Sequence, residues 1–137
     1  MERSRGRGTR VGRSVRAQFE ATKHHVLATL RTDGSPRVSG TEVGFDGDEI
    51  QLGSMPDAVK ARDLQRDGRF TIHANPGDGS MGGGDGKVAG IAVEVPNEGS
   101  HLFRLDIHEV VHTTVENKQL LIRWWTPEGG LREIRRT

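Results

Sequence analysis

From residue 25 onward the chain alternates short β-favouring runs with turn signals, and most gaps between runs are too short to hold a crossover connection. Extended runs fall at 25–31, 36–45, 49–53, 69–74, 87–95, 101–115, 119–125 and, more weakly, 131–135. Between them Thr32, Asp33 and Gly34, then Asp46 and Gly47, then Pro96 to Gly99, then Asn117 and Lys118 supply hairpin chemistry. Antiparallel neighbours join through a few residues, whereas parallel strands need about a dozen. The spacing excludes an alternating α/β sheet and predicts a mainly β fold, a barrel of six to eight antiparallel strands.

A helical period appears twice. Val15, Phe19 and the Thr22 methyl group fall at i, i+4 and i+7, which predicts a short helix over 14–22. Residues 56–67 carry Asp57 as N-cap and the helix formers Ala58, Lys60, Ala61, Arg62 and Leu64 before Gly68, so two to three turns are expected there. In the following strand Phe70, Ile72 and Ala74 share one face. Residues 75–86 hold six glycines and a proline and read as a mobile loop, either a cover over a groove or a plain insertion.

Composition narrows the classes further. The 137 residues include 19 glycines and only four Phe, two Trp and no Tyr, too few for a large aromatic core. A domain of this size buries only about two thirds of its unfolded surface, so self-association is expected. With no cysteine there is no disulfide, thiolate metal site, iron–sulfur cluster or cysteine nucleophile, and the cytosol is the expected compartment. No run approaches the roughly 18 apolar residues of a membrane span, so no membrane partner is expected.

The formal charge of +1 hides an asymmetry: Arg3, Arg5, Arg7, Arg10, Arg13 and Arg16 face only Glu2, so residues 1–16 carry +5 and the rest −4. Residues 1–14 read as a flexible, solvated tail on a single domain over 15–137. Phosphate neutralisation by the tail is the competing role. A nucleic-acid-binding barrel is disfavoured, because the body is acidic and lacks base-stacking aromatics interleaved with basic residues.

Arg37 follows a tight turn, Lys60 and Arg62 sit early in the second helix, and Gly53 and Ser54 precede it. A helix N-terminus with such charges nearby suits a phosphate; the alternative is solvated surface charge. His108 to His112 reads HEVVH, a literal match to a zinc-protease pattern. That chemistry needs a helix, and the β-branched surroundings favour a strand, on which His108 and His112 share a face about 13 Å apart. No metal is assigned, and the histidines are placed on the polar face of a long strand.

Three stretches carry a resemblance: HVLATLRTDGSPRVS (25–39), GFDGDEIQLGS (44–54) and KARDLQRDGRFTIHANP (60–76). They resemble the FMN-binding split-barrel family typified by pyridoxamine 5′-phosphate oxidase, including its actinobacterial relatives that use the deazaflavin coenzyme F-420. The resemblance implies a homodimeric split β-barrel with FMN or F-420 in a groove between subunits, an oxidoreductase transferring hydride to or from a small molecule. Arg37, Val38 and Ser39 would then lie along the flavin ring or its ribityl chain, Gly53 and Ser54 would line the phosphate turn, and Lys60 and Arg62 would hold the phosphate. Val59 departs from the family, whose oxidases carry adjacent basic residues there. Trp124 and Trp125 on one strand face opposite sides, so one enters the core. Trp125 is assigned to the cofactor, because the family places C-terminal aromatic and arginine residues of the second subunit near the flavin. Arg123, Arg132 and Arg135 are weaker candidates for the same place. No catalytic residue is assigned, since the chemistry in such sites belongs mainly to the cofactor. The alternative is a non-catalytic barrel binding flavin, haem or another tetrapyrrole, with a histidine as axial ligand.

Overall fold

A computed structural model describes residues 10–75 and 83–137. In chain order the elements are α1 (Arg10–Ala21), β1 (His24–Leu30), β2 (Pro36–Asp46), β3 (Glu49–Ser54), α2 (Val59–Arg66), β4 (Arg69–His73), β5 (Asp85–Val95), β6 (His101–Glu116), β7 (Gln119–Thr126) and β8 (Gly130–Arg136). The strands lie in the order β3-β2-β1-β4-β5-β6-β7-β8, all antiparallel, and β6 also pairs with β3. That extra pairing closes a six-stranded barrel from β1 to β6, and the β7–β8 hairpin continues the sheet beyond it. The expected mainly β split barrel is therefore the fold.

The hairpin turns follow their chemistry. Asn117 (φ 53°) and Lys118 (φ 63°) supply the two positive φ values of a type I′ turn, and Gly34 (φ 87°) serves the β1–β2 turn. Alternation along the strands fills the barrel with Leu27, Leu52, Ile72, Phe103 and Leu105, all at 0 % exposure. Helix α1 packs on β5, β6 and β7. Its Val15 and Phe19 face Ile50, Val88, Ile107 and Val110 across a closely filled space, closing one end of the core. The helix begins four residues before the expected start and ends at Ala21, leaving Thr22 exposed outside it. Residues 10–14 lie within this helix, while residues 1–9 lie outside the described residues.

The long strand β6 departs from simple alternation. Ala89 pairs with Glu109 and Gly90 with Ile107, so His108 is the extra residue of a β-bulge. A Cβ at position 90 would fall on the Asp106 carbonyl oxygen, which is why glycine stands opposite the bulge. The inserted residue reverses the faces beyond it: His108 is exposed, whereas His112 is buried. The expectation that both share the polar face of the strand is corrected by this register shift.

The glycine-rich segment is anchored at its described ends. The Asn75 N–H donates to His25 Nδ1 (3.0 Å), and His25 Nε2–H donates to the Phe19 carbonyl (3.0 Å). At the far end the Gly83 carbonyl accepts from Gln18 (2.8 Å) and from His112 Nε2–H (2.9 Å). Strand β5 starts at Asp85, two residues earlier than expected. Residues 76–82, and with them the reading as a mobile cover, lie outside the described residues.

Candidate functional site

A cleft of about 650 Å³ opens where β2, the end of β3, the following turn and the start of α2 meet. Its floor is the outer face of β2. Gly40 and Gly44 are four residues apart on that face, and nothing stands within 4 Å of the place a Cβ would take at either. Bare backbone at these two positions brackets the exposed Glu42 side chain, which stands between them on the same face. Gly53 and Ser54 close β3, and Met55, Pro56, Lys60 and Ser100 complete the rim, with His24 at the β1 side.

The turn and helix at the rim differ from expectation. Helix α2 starts at Val59, and its N-cap is Ala58, with no side-chain cap hydrogen bond. Asp57 sits one residue too early to cap and adopts φ 62°, a left-handed conformation uncommon for a residue with a side chain. An uncapped helix start at the wall of a cleft offers first-turn N–H groups and the positive end of the helix dipole to an anion.

Lys60 is the cationic side chain at this wall. Its Nζ donates to the Gly40 carbonyl at 2.9 Å, which lays the side chain across the cleft toward β2. Burial pulls the Lys60 ammonium below the ordinary lysine value, and the Glu42 carboxylate opposes that effect. The charge of an anion beside Lys60 would offset this desolvation cost, in competition with the Glu42 carboxylate already in the cleft.

The other two predicted charges are elsewhere. Arg37 points inward from β2 to Asp63, donating from Nε to Oδ2 at 2.7 Å. Thr29, its cross-strand neighbour on β1, donates to the same oxygen at 2.7 Å, and Arg66 donates to Oδ1 at 3.1 Å. The Asp63 side chain is 3 % exposed. Burial pushes its carboxyl upward, but the hydrogen bonds from Thr29, Arg37 and Arg66 outweigh it and hold the carboxyl below the usual range. Arg37 is thus the counter-ion of a buried carboxylate that fastens α2 to the barrel. Arg62 points along the surface, with Nη2 3.8 Å from Asp57 Oδ1, and is not among the cleft-lining residues.

Of the remaining candidates, Gly53 and Ser54 line the cleft. Val38 is 69 % exposed on the outer face of β2, two residues from Gly40, and Ser39 is half-buried on the inner face. Trp125 is corrected: it is 4 % exposed within the hydrophobic core, because its cross-strand partner is the inward-facing Val110. The half-exposed tryptophan is Trp124, paired with Val111 and Arg132. Arg123 and Arg135 lie on β7 and β8, away from the cleft-lining set. Among the described residues no group of three or more His, Asp or Glu side chains is placed to hold a metal ion. No helix of the described residues is long and apolar enough to cross a membrane.

No family model matches the chain, and no curated protein matches it. Solved structures do. A pyridoxamine 5′-phosphate oxidase-related, FMN-binding protein from Nostoc punctiforme superposes with a TM-score of 0.69 at 11 % identity, over 93 % of this chain and 94 % of that one. PhzG from Burkholderia lata, solved with tetrahydrophenazine-1-carboxylic acid, gives 0.68 at 12 % identity over 82 % and 81 %. A heme-binding protein from Mycobacterium smegmatis gives 0.62 at 18 % identity over 92 % of this chain. The chain spans 58 % of the length of that mycobacterial protein. The likeness is one of fold, and the fold is the split barrel of the pyridoxamine 5′-phosphate oxidase type.

Proposed function

We propose that the cleft binds a phosphate-bearing flavin, FMN or the deazaflavin F-420, and that the protein is a homodimeric oxidoreductase acting on a small molecule. The observation that carries this reading is an open cleft in which Gly40 and Gly44 of β2, on either side of Glu42, face an uncapped helix start and Lys60. Gly40 and Gly44 leave room for the ring system, while Lys60 and the first-turn N–H groups of α2 would hold the phosphate. The bound group would supply hydride transfer. The chain's own part is to bind it, orient it on β2 and exclude water from one face. Lys60 is the single cation of the set, so the phosphate is held by one charged contact and backbone dipoles rather than by adjacent basic side chains.

A second copy is included because large apolar side chains remain uncovered next to the cleft. Met55 on its rim is 77 % exposed, Val38 is 69 % exposed, and Val59 is half exposed. A haem reading has one favouring observation, His24 on the cleft wall, together with a heme-binding fold neighbour.

The test is a parallel titration of purified protein with FMN, F-420 and haemin, followed by flavin fluorescence and haem absorbance. One of the two flavins is expected to bind, and Lys60→Ala to weaken it by about ten- to a hundredfold through loss of a charge-assisted contact. Haemin binding alone, abolished by His24→Ala and indifferent to Lys60→Ala, would replace the flavin reading with the haem one.

A further inference from the structure

We propose that His101 is a positioning residue for the cleft: by accepting the Asp57 N–H at Nε2 it holds the left-handed turn from which α2 starts. The inference rests on the flavin reading for its binding readout only. Its structural basis is independent.

His101 opens β6, opposite Ser54 at the end of β3, so its ring lies beside the rim segment that begins there. Nδ1 bonds Glu94 Oε2 on β5 at 2.7 Å, and Glu94 Oε1 accepts from Gln65 of α2 at 2.9 Å. A carboxylate can only accept, so the proton of the neutral ring sits on Nδ1 and Nε2 is left as an acceptor. That acceptor takes the backbone N–H of Asp57 at 3.4 Å. The hydrogen bonds from His101 and Gln65 hold the Glu94 carboxyl below its ordinary value, which keeps this tautomer in place at neutral pH. One imidazole therefore joins β5, β6, α2 and the rim.

The bond falls where the backbone needs support. Asp57 has φ 62°, a conformation that costs a residue with a side chain free energy that glycine does not lose. Its carboxylate does not cap α2 and instead has Arg62 at 3.8 Å. The groups facing the ring are Glu94 from β5, Gln65 from α2, Asp57 from the turn, and Phe103 on β6 with ring centroids 6.4 Å apart.

The experiment follows two readouts at one fixed pH: affinity for the flavin that binds, and the exchange rate of the Asp57 amide by NMR. His101→Gln keeps an acceptor at the ε position, so it should bind the flavin as the wild type does. His101→Ala should weaken flavin binding about five- to tenfold. Adding Asp57→Gly to His101→Ala should restore affinity, because glycine adopts the turn unaided. If His101→Gln binds as weakly as His101→Ala, the proposal is overturned. Should the wild type bind neither FMN nor F-420, the flavin reading fails, and the Asp57 amide decides alone. Exchange quickened by His101→Ala and restored by His101→Gln upholds the latch, while unchanged exchange overturns it.

Discussion

Replacing Arg37 with Ala separates a structural arginine from a cofactor ligand. Asp63 is 3 % exposed and accepts three side-chain hydrogen bonds, one each from Thr29, Arg37 and Arg66. Losing a hydrogen bond to a charged group costs about 1.5–3 kcal/mol. Arg66 and Thr29 still face the carboxylate in the variant, and the Arg37 side chain is 28 % exposed, so water partly substitutes. The expected loss is therefore about 2 kcal/mol rather than the 3–5 kcal/mol of a wholly buried broken pair. For a domain this size that corresponds to a fall in Tm of about 6–10 °C. Asp63→Ala should cost about 3 kcal/mol, and the double variant little more than Asp63→Ala alone, a coupling of about 1.5–2 kcal/mol. Urea unfolding of the four proteins, followed by tryptophan fluorescence, measures the cycle. A coupling below about 0.5 kcal/mol, or an Arg37→Ala variant with wild-type stability and weakened flavin binding, would refute the counter-ion assignment.

Gly90→Ala should cost about 3 kcal/mol, at the upper end for overpacking, because its methyl group meets the Asp106 carbonyl; thermal melting checks it. Burial holds the His25 imidazole below its ordinary value of 6.5, so below about pH 6.5 the unfolded chain takes up a proton that the folded chain refuses. Stability should fall as the pH drops through that window, and His25→Gln should flatten the slope in urea titrations at stepped pH. Asp63, held below its ordinary 3.8, adds a second acid loss only below about pH 3.8, which Asp63→Ala should remove. A homodimer is expected by light scattering at micromolar concentration, and Met55→Asp should weaken it if the cleft rim lies at the interface.

Turn chemistry made the hairpins legible, since Gly34, Gly47 and Asn117 adopt positive φ with little help from the rest of the fold. The bulge was not legible, because its cause stands on the neighbouring strand: Gly90 admits the Asp106 carbonyl, and neither residue marks His108 within β6. The tryptophan pair shows the same limit. Alternation establishes that Trp124 and Trp125 part ways, but the register against Val110, set beyond the bulge, decides that Trp125 goes inward. In the candidate site, Gly53, Ser54 and Lys60 line the cleft. Asp63 was missed because a single aspartate among Lys60, Arg62 and Arg66 looks like surface charge. Only the β1–β2 register, which sets Thr29 beside Arg37, supplies the donors that let it be buried.

The β3–β6 seam has a consequence for synthesis of the chain. It joins residue 54 to residue 101 and residue 51 to residue 104, 47 and 53 positions apart. At about 5–20 residues per second, the edge of β3 waits roughly 2–10 s for its partner to be made. During that interval β1 to β4 can pair among themselves, but the barrel stays open along one side with Ile50 and Leu52 at the seam. Translation speed between β3 and β6, more than the final stability of the barrel, sets how long a nascent chain presents that edge to its neighbours on the same message.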